Sequence, residues 1–102
     1  MIQLDKEGFL RNLDDWSEEV AMELATAERI ELTDTHWQLI HLVRGFYQKF
    51  HVSPEMRPLV KLTRDNLGIT TNTSIQLMRL FPGSPAKLVA KIAGLPRPKN
   101  CL

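Results

Sequence analysis

Apolar residues recur along most of this chain at three- and four-residue intervals, a period that predicts helices rather than sheet. Trp16, Val20, Leu24 and Ala27 share one stripe of a helix over about 17–29, with Asp15 or Ser17 as its cap and acids in its first turn. Thr33 or Asp34 caps a second, about 34–50. There Trp37, Leu39, Ile40, Leu42, Val43, Phe46, Tyr47 and Phe50 cover most of the circumference, the mark of a central helix wrapped by others. Ser53-Pro54 opens a third over 54–67, with Met56, Leu59, Val60 and Leu67 inward and Gly68 as its stop. Thr73 or Ser74 caps a short helix over 74–80, and Phe81-Pro82-Gly83 breaks the chain. Ser84-Pro85 then repeats the cap-and-proline start for a last helix over 85–93, which Gly94 ends.

The two ends follow other rules. Ile2-Gln3-Leu4 and Gly8-Phe9-Leu10 read as two short strands turned at Asp5-Lys6-Glu7, a hairpin over 2–10 too small to stand alone. Beyond Gly94, Pro96 and Pro98 prevent a helix and favour an extended, mobile arm over 95–102, which could reach about 25 Å at ~3.1 Å per residue. The expected fold is therefore mainly α, a small orthogonal bundle of about five helices with an N-terminal β-hairpin. Residues 1–94 form one domain, and the arm leaves it.

A length of 102 residues, 43% apolar and 25% charged, suits one globular domain with little room for an enclosed substrate cavity. No stretch has the ~20 apolar residues of a membrane span, and the opening MIQLDKEGF lacks the layout of a secretion signal, so a cytoplasmic protein, monomeric when free, is expected. The net charge of +1 conceals a division: residues 1–34 hold ten acids against three bases, a balance of −7, and the remainder ten bases against Glu55 and Asp65, a balance of +8. A basic half can steer an acidic protein or a nucleic acid, unless the acidic segment folds back and cancels its field.

Among chemical candidates, His36, His41 and His51 are spaced by five and ten residues, which puts them on different faces rather than in the i, i+4 pair that zinc favours; they read as surface or helix-end residues. Glu18 and Glu19 are neighbours that point apart, a solvated face. The helices on either side of Gly68 are spaced like a helix-turn-helix with Arg79 on the second, a rival reading as a nucleic-acid-binding module.

Cys101 is the one cysteine, next to last on the proline-stiffened arm. It can form no internal disulfide, and its position is a poor one for core packing. Arg97 and Lys99 are cations that favour its thiolate, though on an exposed arm their effect is screened. Such a thiolate can attack the outer sulfur of a donor persulfide, hold it as Cys-S-SH and surrender it to a second partner, with no metal or organic cofactor. Position alone leaves an accidental exposed thiol, or a disulfide to another protein, equally open.

Leu80-Phe81-Pro82-Gly83-Ser84-Pro85-Ala86-Lys87, Lys91-Ile92-Ala93-Gly94-Leu95-Pro96-Arg97-Pro98 and Cys101, with Trp16-Ser17, His36-Trp37, Val43-Arg44, Phe46-Tyr47, Ser53-Pro54, Arg57 and Val60-Lys61 upstream, resemble the TusE/DsrC family of sulfur-relay proteins over nearly the whole chain. The resemblance implies a small helical fold with an N-terminal hairpin, and a next-to-last cysteine that receives sulfur as a persulfide. In the DsrC branch, related to the gamma component of dissimilatory sulfite reductase, a second cysteine stands in the last helix where this chain has Ala90. That departure disfavours a redox partnership with sulfite reductase. The TusE branch implies a sulfurtransferase that accepts sulfur on Cys101 from a TusBCD-like donor complex. It passes the sulfur toward a tRNA 2-thiouridylase with bound tRNA, for 2-thiolation of wobble uridine, with Pro96, Arg97, Pro98 and Lys99 as the partner-docking arm.

Overall fold

The computed structural model describes residues 2–100; Met1, Cys101 and Leu102 lie outside the described residues. Five α-helices follow a single 3-10 turn at Leu13–Asp15: α1 (Glu18–Ala27), α2 (Asp34–Phe50), α3 (Met56–Leu67), α4 (Thr73–Leu80) and α5 (Pro85–Ile92). None is long and apolar enough to cross a membrane.

The helix at the centre is α5, not α2. It packs on each of the other four, and Val89, Ala90 and Ile92, with Ala93 just beyond, are fully buried. Eight residues suffice because small side chains, Ala86, Ala90 and Ala93, let the neighbours approach closely while Val89 and Ile92 fill the space between them. In α2 only His36, Leu39, Ile40 and Val43 are buried. Phe46 and Tyr47 are half-buried and Phe50 is 53% exposed, so the broad apolar circumference read from the sequence includes a surface patch. On α1 the buried stripe is Val20, Ala21, Leu24 and Ala25, and Ala27 faces out.

Helix starts follow local chemistry. Ser17 caps α1 by accepting the Val20 N–H at 3.2 Å, and Ser84 precedes Pro85 at the start of α5. Two starts differ from expectation. Helix α3 begins at Met56 with Glu55 as its N-cap residue, which leaves Pro58 in the first turn where an N–H is not needed, and frees Ser53 for another partner. Helix α4 begins at Thr73 after Asn72, whose φ of 52° is left-handed, and the Thr73 hydroxyl turns back to the Ile69 carbonyl at 2.8 Å.

His36 is buried, with 6% exposure, rather than on the surface. Its Nδ1 accepts the Thr33 N–H at 3.0 Å, which fixes Nε2 as the protonated nitrogen, and that nitrogen donates to the Leu80 carbonyl at 2.8 Å. The ring meets Phe81 edge-on at 5.0 Å, so one imidazole ties the start of α2 to the end of α4.

The expected β-hairpin is not formed: the described residues contain no strand, and Leu4 and Leu10 make a single antiparallel bridge. The backbone exchanges Asp5 N–H to Phe9 O at 2.8 Å and Arg11 N–H to Gln3 O at 2.9 Å, then stops as the chain turns into the 3-10 segment. Inside the turn the Asp5 carboxylate accepts the N–H groups of Glu7 and Phe9, each at 2.9 Å, so a side chain supplies what a ladder would have. Those bonds, the one from Phe9 foremost, hold the Asp5 carboxyl below its ordinary pKa. Because the folded value is depressed, the turn's stabilisation is present above the ordinary aspartate range and is lost as the pH falls through the folded value. The protection of the Phe9 amide, its exchange rate set against the intrinsic rate at the same pH, is expected to fall on acidification through that window, and Asp5→Ala to lack that protection at every pH, as read by amide hydrogen exchange.

Gly94 ends α5 with φ +73°, and a Cβ there would lie 2.8 Å from Trp16 Cγ and 2.9 Å from Trp16 Cβ. Gly68 ends α3 with φ +68° and open space around it. Gly94→Ala is expected to cost about 2–5 kcal/mol, from left-handed backbone strain plus overpacking. Gly68→Ala should cost only the backbone share, about 1–2 kcal/mol. Urea unfolding of the two variants separates the terms, and equal losses would show that the Trp16 contact does not matter.

Candidate functional site

The arm starts where α5 ends, and the last carbonyls of a helix have no partners within it. Here each finds one. Trp16 Nε1 donates to Ile92 O at 2.9 Å, Arg44 Nη1 to Ala93 O at 2.7 Å, and the Leu95 N–H to Ala90 O at 2.9 Å. The Arg44 guanidinium lies 3.8 Å from the Trp16 ring centre, stacked over its face, and a cation at a helix C-terminus also complements the helix dipole. Burial lowers the Arg44 pKa from its ordinary value, yet guanidinium remains charged at any working pH. Trp16 and Arg44 thus hold the departing chain from two sides, with Gly94 at the contact.

The expectation that the chain leaves the body after Gly94 gives way to a docked path through Asn100. Residues 95–100 are non-helical, as two alternate prolines require, but they lie along the domain. Leu95 is 2% exposed in the core, the Ser53 hydroxyl donates to Pro96 O, and Pro98 is buried. Arg97 Nη1 sits 3.2 Å from both Glu7 carboxylate oxygens, Lys99 is exposed, and Asn100 Nδ2 donates to Glu55 Oε1 at 2.6 Å. A polyproline-like strand has no internal hydrogen bonds, so its carbonyls are free to be taken by neighbours such as Ser53. Cys101 lies outside the described residues. Asn100, just before it, lines a cavity of about 310 Å³ with Met56, Met78, Pro85, Ala86 and Pro98.

The anchors Glu7, Ser53 and Glu55 were not singled out as functional in the sequence. Their signal was present only in part: an acidic first third facing a basic remainder. That division is resolved by pairing across the fold, Glu7 with Arg97 and with Lys87 at 3.8 Å, and Glu28 with Lys91 at 3.1 Å. Lys91 is buried, and its ammonium also lies 5.2 Å from the Phe9 ring. The acidic segment therefore pairs with the basic residues of α5 and with Arg97 of the arm, and does not reach those of α3. Arg57 and Arg64 have no acidic partner among the described residues, and Lys61 pairs only with Asp65, one turn on in the same helix.

The other candidates are dispersed. His41 is exposed, with Nε2 3.3 Å from Glu18, His51 is exposed at the C-cap of α2, and Arg79 is exposed on α4. No group of metal-binding side chains forms among the described residues. Ala90 is fully buried in α5.

The family described as DsrC like protein matches residues 1–102. The sulfurtransferase TusE of Buchnera aphidicola subsp. Schizaphis graminum is 48% identical over 101 residues, covering 99% of this chain and 89% of the relative. The TusE homolog of Haemophilus influenzae is 46% identical over 101 residues, covering 99% and 93%. Among solved structures, Allochromatium vinosum DsrC superposes with a TM-score of 0.89 at 39% identity over 99% of this chain and 90% of that one. The oxidized gamma-subunit of dissimilatory sulfite reductase (DsrC) from Archaeoglobus fulgidus gives 0.84 at 39% identity over 99% and 92%.

Two of the arm's anchors, Glu7 to Arg97 and Glu55 to Asn100, are exposed polar pairs, each worth about 0–1 kcal/mol. Glu7→Ala with Glu55→Ala is therefore expected to speed amide exchange at Arg97, Lys99 and Asn100 while moving the unfolding midpoint by only a few degrees.

Proposed function

Since the chain belongs to the DsrC-like family and is a sulfurtransferase of the sulfur-relay type, we propose that Cys101 is the atom that carries the sulfur. The observation that supports this most is that a chain matching named sulfurtransferases over its full length has a single cysteine, so one sulfur nucleophile is available for the work.

In the loading step the Cys101 thiolate attacks the outer sulfur of a donor persulfide along the S–S axis. The new S–S bond forms as the old one breaks, the donor cysteine leaves as a thiolate, and the transferred sulfur is held as Cys101-S-SH. In the unloading step an acceptor thiolate attacks that outer sulfur and Cys101 leaves as its thiolate. Each step exchanges one S–S bond for another, so no external oxidant, reductant or cofactor is consumed. Lys99 and Arg97 lie two and four residues away and favour the thiolate, and Pro96 and Pro98 stiffen the segment that enters a partner.

The donor is a TusBCD-like complex, and the acceptor is a tRNA 2-thiouridylase with bound tRNA, in the cytoplasm, with this chain monomeric between exchanges. Ala90 supports that assignment over a sulfite-reductase role, because a chain with one thiol cannot close an internal sulfur bridge. A direct role as a helix-turn-helix module is not favoured.

After incubation with a cysteine desulfurase, cysteine and the donor complex, intact mass is expected to rise by one sulfur atom, removable by reductant, and not at all in Cys101→Ser. In cells whose only copy is Cys101→Ser, wobble-uridine 2-thiolation should be lost. Normal thiolation there would refute the assignment.

A further inference from the structure

Among the cations with no acidic partner in the described residues, Arg57 and Arg64 share one face of α3, with Lys61, which pairs with Asp65, between them. Arg57, Lys61 and Arg64 fall at i, i+4 and i+7 on α3, one exposed stripe along a helix of about 18 Å. Between this stripe and α4 runs a shallow groove of about 610 Å³, lined also by Met56, Val60, Ser74 and Asp65, the last neutralising Lys61, so that Arg57 and Arg64 carry the groove's net positive charge. At one end it merges, through Val60, Arg64 and Ser74, with a cleft that reaches Ile75. At the other, Met56 is shared with the cavity lined by Met78 and Asn100, the residue before the sulfur-carrying position. Ile75 is 53% and Met78 44% exposed, so an exposed apolar side chain stands at each end of the cationic path.

We infer that this α3–α4 groove docks an acidic amphipathic helix of a protein partner in the relay, and that its position brings the partner's reacting sulfur to the end of the arm. The inference rests on the sulfur-carrier reading for the identity of the partner, not for the surface. A helix of about three turns with acids on one flank and apolar residues on the next matches both the cations and the apolar side chains of that path. A nucleic acid would match the cations alone: phosphates gain nothing from Ile75, Met78 and Val60, and no aromatic side chain lines the groove to stack a base. The arrangement also separates two tasks. The groove supplies encounter rate and orientation through charge, while the arm supplies the reacting atom.

The test removes sulfur chemistry by working on the Cys101→Ser full chain and measuring its binding to the donor complex and, separately, to the tRNA-loaded thiouridylase. Adding Arg57→Glu with Arg64→Glu is expected to raise Kd about tenfold or more for at least one of the two, with a smaller gap at high salt. Arg57→Lys with Arg64→Lys should bind nearly as wild type. Ile75→Asp with Met78→Asp should weaken the same partner. All these positions are exposed, and an unchanged far-UV spectrum and unfolding midpoint verify that each variant is folded. Unchanged binding to both partners would overturn the proposal, and so would a loss confined to bare tRNA, which would assign the stripe to nucleic acid. Failure of the carrier reading shows up elsewhere, as an absence of sulfur loading on the wild-type chain from glutathione persulfide. That loading should be unaffected by the charge reversals.

Discussion

Everything at the C-terminal side of this molecule depends on how the end of α5 is satisfied. A short helix buried at the centre of a domain leaves its last carbonyls far from water, where an unpaired one costs about 1–3 kcal/mol. Trp16, from before α1, and Arg44, from the middle of α2, reach those carbonyls, and each needs the other: the guanidinium lies on the indole that orients it. Gly94 is what allows the approach, since any side chain would occupy the indole's place. The direction in which the arm sets out follows from this three-residue contact and not from the arm's own sequence.

Electrostatics is organised around the same element. Side chains from the acidic first third reach Lys87 and Lys91 on α5 and Arg97 just after it, so the opposed charges of the two halves become connections between distant parts of the chain. The exposed pairs among them add little stability. Their effect is on the arm's further course, which Glu7 ties down through Arg97, and they leave Arg57 and Arg64 on α3 without acidic partners among the described residues.

Much of the helical architecture was legible because it rests on local chemistry. Ser17, Ser84-Pro85 and Gly68 act where their spacing indicated, and five helices result. Besides the central place of α5 and the burial of His36, three features were not legible, each because a distant partner competes with a local preference. Ser53 looked like a helix cap but bonds to Pro96, forty-three residues on. The residues read as strands are instead closed by the Asp5 side chain and packed through Phe9 and Leu10 onto the core. The arm reads as free because its composition forbids a helix, yet docking needs only outside partners for its backbone, and Glu7, Ser53 and Glu55 could not be identified as neighbours from sequence spacing. Several residues that carry the family resemblance, Trp16, Arg44, Ser53 and Gly94, meet around that end of α5, which gives them a common physical reason.

The central place of α5 bears on how the chain is made. Residues 18–80 emerge from a ribosome before the helix they must wrap, so α1 to α4 have no complete core to close upon while synthesis is under way. The core is complete only when residues 85–95 have been made, because α5 contacts each of the other four helices. A nascent or truncated chain lacking that stretch exposes the apolar faces of four helices and is open to proteolysis. The helix that closes the core is thus also the one from which the arm departs.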